Sequence, residues 1–203
     1  LESRPALKPL LKRWDESVAG FDAQQAKARF EHALARWEEA AKKAKAAGKQ
    51  PPRRPRPAGN PAHSPHRPAN LFNGMIAPLV PYAIRGAIWY QGESNVRRAY
   101  QYRVLMPALI ENWRRLWGEG DFPFGIVQIA PFDYQRIWQI DPACCAELWE
   151  AQMLTAANVP NTGIAGTMDV GELDDIHPGN KQDVGRRLGL WARATVYGDD
   201  VVY

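Results

Sequence analysis

The sequence predicts an α/β domain built on a parallel sheet, preceded by a helical hairpin. From residue 83 onward, short and nearly continuous apolar runs alternate with amphipathic segments of helical period. Runs of that kind read as strands buried on both faces, which is the signature of a parallel sheet with helices on either side. Before that point two segments of helical period follow one another with no strand between them. A length of 203 residues with an apolar fraction of 45% and eight Trp is enough for one such domain with a substantial core.

Leu7, Leu10, Leu11, Trp14 and Val18 fall on one helical face, and Gly20 is a plausible stop. A second helix is expected from Ala23 to Ala47, with Phe30, Leu34, Trp37, Ala41 and Ala44 on one side, Lys and Glu on the other, and Gly48 to end it. The pair occupies residues 1–49. Residues 50–68, containing QPPRRPRPAGNPAHSPHRP, are dense in Pro and lack apolar periodicity, so they read as an extended surface loop. Its His63 and His66 are three apart with Pro65 between them; off a helix and without a third ligand nearby, they do not make a metal pair.

The sheet-forming part is expected over residues 69–203. AIRGAIWY (83–90) is the first strand, and RAYQYRVLMPALIENWRRLWG the following helix, with Pro107 as a possible kink or restart. FPFGIVQIA (122–130) is the second strand, DPACCAELWEAQMLTAANV (141–159) the next helix, TGIAGTMDV (162–170) the third strand, and the last helix opens after HPGNK.

Net charge is +4 with a pI of 9.1, which raises the question of an anionic polymer as partner. The charge is unevenly spread. Residues 1–58 hold 14 of the 26 Lys and Arg but 7 of the 22 Asp and Glu, so they carry +7 and the remainder carries −3. The basicity belongs to the hairpin and loop, where a solvated outer face explains it, and nucleic acid is not expected as a partner. Cys144 and Cys145 are adjacent and can build neither a spaced disulfide framework nor a metal knuckle; they read as buried small apolar residues. No apolar run reaches the roughly 18 residues of a membrane span, so no membrane is expected either. No signal peptide is visible, and the chain starts at Leu1 in what reads as a helix already under way, which leads us to expect an N-terminally truncated piece.

In parallel sheets ligands gather at the carboxyl ends of the strands. Two polar clusters are expected there, YQGESN after the first strand and MDVGELDDIHP after the third, and should converge on one site. His177 is the sole histidine of the sheet-forming part. An acid three residues earlier, Asp174, can curl back to accept from Nδ1 and leave Nε2 outward as a general base; Asp175 competes for that role, and a loop histidine that merely caps the last helix is the structural alternative. For Ser94 the test is the strained elbow G-x-S-x-G. Gly92-Glu93-Ser94-Asn95-Val96 has the first glycine and lacks the second, so Ser94 is a poor nucleophile. The chain thus offers a base and an orienting acid without a convincing nucleophile.

IRGAIWYQGESN, NLFNGMIAPLVPYAI and DDIHPGNKQDVGRRLGLWA together resemble the sialate O-acetylesterase family of SGNH/GDSL-type esterases, over about residues 69–194. The N-terminal stretch resembles the helical insertion that precedes this region in the family. The resemblance implies a flavodoxin-like three-layer sandwich and a serine-type esterase that removes O-acetyl groups from sialic acid or related acetylated sugars, with no cofactor and no metal. It also implies a nucleophilic serine in a GQSN-like block upstream of the insertion, so the chain is expected to begin after it. His177 would be the base and Asp174, with Asp175 as competitor, its orienter. The QGES turn would line the oxyanion side, with Gly92 admitting substrate to the backbone and Gln91, Glu93, Ser94 or Asn95 lining the pocket. That turn departs from the superfamily's G-x-N-D form, having Ser94-Asn95 in place of Asn-Asp, which leaves the oxyanion donor open. Members are commonly exported, so a secreted or periplasmic location is expected by resemblance alone. An acetyl-xylan-type esterase and a non-catalytic carbohydrate-binding piece are the alternatives.

Overall fold

The computed structural model describes residues 4–203, which divide into two compact units with the boundary between Leu79 and Val80. In the first, α1 (Lys8–Ala19) and α2 (Ala23–Ala46) are two consecutive helices over the ranges their periodicity marks. Leu7, Leu10, Leu11, Trp14 and Val18 are the buried or half-buried stripe of the first helical segment, as their spacing requires. Asp22 caps α2 by accepting from the backbone N–H of Gln24 and Gln25 at 2.8 and 3.0 Å. Lys43 and Lys45 sit in its last turn, where the helix dipole favours cations. The Pro-rich stretch is irregular apart from one 3₁₀ turn at Pro61–His63, and Trp37 Nε1 ties it down by donating to Pro52 O at 2.7 Å.

The second unit runs β1 (Ala87–Tyr90), α3 (Ala99–Trp117), β2 (Phe124–Val127), α4 (Tyr134–Trp138), α5 (Ala143–Asn158), β3 (Thr162–Ala165) and α6 (Lys181–Thr195). The strands pair in parallel in the order β1-β2-β3, with Ala87, Phe124 and Thr162 in register. Both crossovers step the same way across the sheet, and a right-handed crossover then leaves α3 and α5 on one face. That face presents Ala87, Trp89, Phe124, Ile126 and Ile164, and its core is closed by Tyr102, Met106 and Ile110 of α3 with Leu148 and Ala151 of α5. Trp89 meets Trp113 edge-on at 5.7 Å. α6 covers the other face, packing Val184 and Leu188 against Val127 and Ala165. A Cβ on Gly163 would run into the indole of Trp191, so this glycine is what lets α6 lie close to the sheet.

The structure differs from the sequence reading in four respects. The strands are four residues long, shorter than the apolar runs that contain them. After Val127 the run stays buried; Gln128 N–H still donates to Ala165 O at 3.0 Å, and at Ile129 the partner becomes a side chain, as described next. Pro107 lies within one continuous helix, α3, and starts no second one. α4 went unforeseen because five residues are too few to display a helical period; Asp133 makes it by accepting from Arg136 N at 2.9 Å and pairing with Arg136 Nε at 3.0 Å. The cover on the α6 face is incomplete, since Ile88 on β1 is 70% exposed.

Gln152 of α5 is wholly buried among apolar residues. Its Oε1 accepts from Ile129 N–H at 3.1 Å, and its Nε2 donates to Val127 O at 3.3 Å and Gln91 O at 3.4 Å. One amide therefore stitches the backbone that leaves β2 to the backbone that leaves β1. At the opposite rim Arg114, also buried, donates to Phe122 O at 2.8 Å, Pro160 O at 2.8 Å and Asn161 O at 3.2 Å, and burial lowers its pKa.

Gly163→Ala should destabilise the fold by about 1–3 kcal/mol through overpacking against Trp191, read as a lower denaturation midpoint with an unchanged m-value. Gln152→Leu, close in volume, leaves the buried Ile129 N–H and Val127 O without this partner, while Gln91 O keeps the Tyr102 hydroxyl. At about 1–3 kcal/mol for each orphaned group it should cost at least ~2 kcal/mol in the same measurement.

Candidate active site

Because the three strands are parallel, Tyr90, Val127 and Ala165 all end on one rim, and the loops that follow them are neighbours. The loops after β2 and β3 are tied by Thr167 Oγ1 donating to Gln128 O and by Asp133 N–H donating to Leu173 O, both at 2.8 Å. Lys181, at the start of α6, holds its Nζ 4.9 Å above the ring of Tyr90, the last residue of β1. The QGES turn and the segment that carries His177 are thus held to the same edge of the sheet.

The turn after β1 is rigid. Gly92 is buried with φ 151° and ψ −14°, a conformation that side chains rarely adopt. A Cβ there would meet Ile129 Cγ2 at 3.0 Å and Leu148 Cδ2 at 3.1 Å. Its N–H donates to Glu93 Oε2 at 2.9 Å, and its carbonyl accepts from Asn95 N–H at 2.7 Å. Gln91 Nε2 donates to Asn95 Oδ1 at 2.8 Å, and Tyr102 Oη lies 3.3 Å from both Gln91 O and Gln91 Oε1. Burial pushes the Tyr102 phenol up to about 12, so it remains a neutral donor throughout the working range. Ser94 is the exposed member of the turn, and Asn95 is half-buried with its Oδ1 taken and its Nδ2 directed to no partner among the described residues.

The loop after β3 is held at its base and open at its tip. Arg187 of α6 grips Asp169 in bidentate fashion at 2.7 and 2.5 Å and donates to Gly166 O at 2.6 Å. The guanidinium holds the Asp169 carboxyl below its ordinary pKa. Glu172 Oε1 accepts from Gly179 N–H at 2.7 Å, closing the segment into a compact loop, and Asn180 caps α6 by accepting from Asp183 N–H at 3.1 Å. At the tip Asp175 Oδ1 accepts the backbone N–H of His177 at 2.8 Å, an Asx turn, and stands 4.0 Å from His177 Nδ1. That second distance is too long for a hydrogen bond. The His177 side chain is 86% exposed, and Asp174 is exposed on the same loop.

Beside the turn lies a cleft of about 420 Å³ lined by Glu93, Ser94, Val96, Arg97, Trp138 and Ile140. Sequence reading singled out Glu93 and Ser94 but missed Arg97 and Trp138, and missed Gln152 and Tyr102 that hold the turn from beneath. Gln152 left a signal: a lone amide one turn from Leu148, on the apolar face of α5. Trp138 left none, since α4 is too short to show a pattern.

Residues 66–192 match the family model described as carbohydrate esterase, sialic acid-specific acetylesterase. The chain is 35% identical over 151 residues to the sialate O-acetylesterase of Homo sapiens, which covers 66% of this chain and 28% of that protein. With the sialate O-acetylesterase of Rattus norvegicus it shares 36% identity over 156 residues, again 28% of the relative's length. Among solved structures it is similar to a carbohydrate acetylesterase from Xanthomonas citri, with a TM-score of 0.60 and 44% identity over 66% of this chain and 31% of that one. The chain therefore spans under a third of the length of these relatives. A mixed α/β unit on a parallel sheet and a family match over residues 66–192 agree, and the chain belongs to the sialic acid-specific acetylesterase family of carbohydrate esterases.

Proposed function

We propose that these residues form the base-bearing half of a serine-type O-acetylesterase acting on sialic acid or closely related acetylated sugars. The observation that carries the reading is the placement of His177, open to solvent, on the same sheet rim as the locked QGES turn. A serine hydroxyl attacks the acetyl carbonyl while His177 Nε2 takes its proton. The tetrahedral oxyanion is met by donors of the turn, Asn95 Nδ2 foremost, because its carbonyl oxygen is already bonded and its amide N–H groups are not. The intermediate collapses, the protonated imidazole returns the proton to the departing sugar oxygen, and water repeats the sequence to release acetate.

On this reading the nucleophile is supplied by sequence upstream of residue 1. Ser94 is the one serine of Val80–Tyr203 and lacks the second glycine of an elbow. The two acids divide the labour. Asp175 spends Oδ1 on the backbone of His177 and shapes the loop, while Asp174, three residues before the histidine, is the orienter of Nδ1.

Hydrolysis of p-nitrophenyl acetate by this chain and by a form extended upstream tests the assignment, with activity expected in the extended form alone. An extended form that binds sugar and cleaves no ester would sink it. In the active form His177→Ala should lower kcat by about 10³-fold or more, and Ser94→Ala should stay within about tenfold of the parent. An acetyl group trapped on Ser94 in a rapid quench would contradict the second expectation. Asp174→Ala should cost ~10³- to 10⁴-fold in kcat, and Asp175→Ala no more than about tenfold; the reverse ranking would exchange their roles.

A further inference from the structure

The cleft beside the QGES turn is lined on one side by Glu93 and Ser94, which belong to the proposed reaction site, and on the other by Arg97, Trp138 and Ile140, which the reaction does not use. Its volume of about 420 Å³ lies in the range of small-molecule pockets and suits one sugar ring with its substituents. The far side is built from two kinds of group. Trp138 is 38% exposed, yet its ring is wedged edge-on by Phe132 and Tyr134, each with centroids 5.5 Å away, so it offers a fixed aromatic face. Arg97 is exposed, and Nη2 donates to Trp138 O at 3.3 Å, which anchors the guanidinium to the wall that carries the aromatic ring. Among the described residues no carboxylate lies within ion-pair distance of Arg97, although Glu93 lines the same cleft. Glu93 Oε2 is occupied instead by the Gly92 N–H at 2.9 Å.

A planar guanidinium with most of its five donors uncommitted is the group that best matches a carboxylate, which it can grip in two places. An aromatic face beside it matches the C–H side of a pyranose ring. Neutral acetylated sugars use the second and offer the first hydrogen-bond acceptors but no charge. An acidic sugar uses both, with Ser94 and the remaining Glu93 oxygen left for its hydroxyl groups.

We infer that this cleft is the subsite for the acidic sugar, in which Arg97 pairs with the sugar carboxylate and Trp138 supports the ring, so that Arg97 sets the preference for sialic acid over neutral acetylated sugars. The inference rests on the esterase reading above and names its specificity determinant. The position of the subsite next to Glu93 and Ser94 would bring the acetyl group of the bound sugar toward the turn that receives the oxyanion.

Direct binding tests this without requiring turnover. The 203-residue chain is titrated with 9-O-acetyl-N-acetylneuraminic acid and, separately, with its methyl ester, in which the carboxylate charge is removed and the ring kept. Parent protein should bind the acid ~10- to 100-fold more tightly than the ester, the scale of a charge-assisted bidentate pair. Arg97→Gln should remove that difference by weakening the acid far more than the ester, Arg97→Lys should restore part of it, and Trp138→Ala should weaken both ligands together. Arg97 is exposed, so its variants are expected to keep the parent's far-UV circular dichroism and melting behaviour. Equal affinity for acid and ester in the parent, an undiminished difference in Arg97→Gln, or no binding of either sugar would each overturn the subsite. Such results leave the esterase reading to its own assay, because p-nitrophenyl acetate has no sugar and reports on the acetyl chemistry alone.

Discussion

One buried amide sets the shape of the rim on which everything else is arranged. A parallel sheet ends abruptly at its carboxyl edge, and the backbone groups just past that edge lose their ladder partners while still inside the core. Here Gln152 meets three of them, Val127 O, Ile129 N–H and Gln91 O, from a single side chain. An apolar residue in its place would fill the same space and leave the rim unpaired. The amide also reaches β1 and the exit from β2 at once, so the QGES turn is fixed relative to the middle strand. With Gly92 pressed between Ile129 and Leu148, the turn has almost no freedom to relax.

The loop after β3 follows a different logic. Its base is clamped by charge, Arg187 on Asp169 and Gly166, and by Thr167 on Gln128, contacts that bind it to α6 and to β2. Its tip is organised by short-range hydrogen bonds, Asp175 to His177 N–H and Glu172 to Gly179 N–H, and by Ile176, which packs against the core. Such hydrogen bonds fix backbone direction while leaving side chains open to water. The two sides of the rim therefore differ in kind: a stiff one held by buried contacts, and one whose side chains stay accessible to water.

Much of this was legible in the residues. The period of Leu7, Leu10, Leu11, Trp14 and Val18 reports its own buried stripe, because a surface helix has one face to hide and the pattern is local. The three strand runs were legible for the same reason, and with them the placement of QGES and DDIH at strand ends. What stayed hidden is what depends on distant parts of the chain meeting. The exits from β1 and β2 depend on Gln152, a contact across 23 residues to Ile129 and 61 to Gln91. The wall of the cleft joins Arg97 to Trp138 across 41 residues, through a helix too short to leave a period. The incomplete cover over Ile88 was equally invisible, since a continuous apolar run is expected whether or not a helix lies above each residue.

The contrast between the two acids before His177 shows how far spacing alone can be trusted. Spacing favours Asp174, since three residues allow a loop to curl back, whereas nearness in the structure favours Asp175, 4.0 Å from Nδ1. The hydrogen bond that matters is the one to the His177 backbone N–H at 2.8 Å, because it uses the Asp175 oxygen that lies nearest the ring. A carboxylate held by the backbone in an Asx turn is committed to the shape of the loop, and its distance to the imidazole is a by-product of that shape. An orienting acid has to be directed at Nδ1 itself, within hydrogen-bond reach, when the imidazole takes up its proton. On the proposed esterase reading, the engagement of Asp175 Oδ1 with the backbone is the reason to look to Asp174 as the orienter.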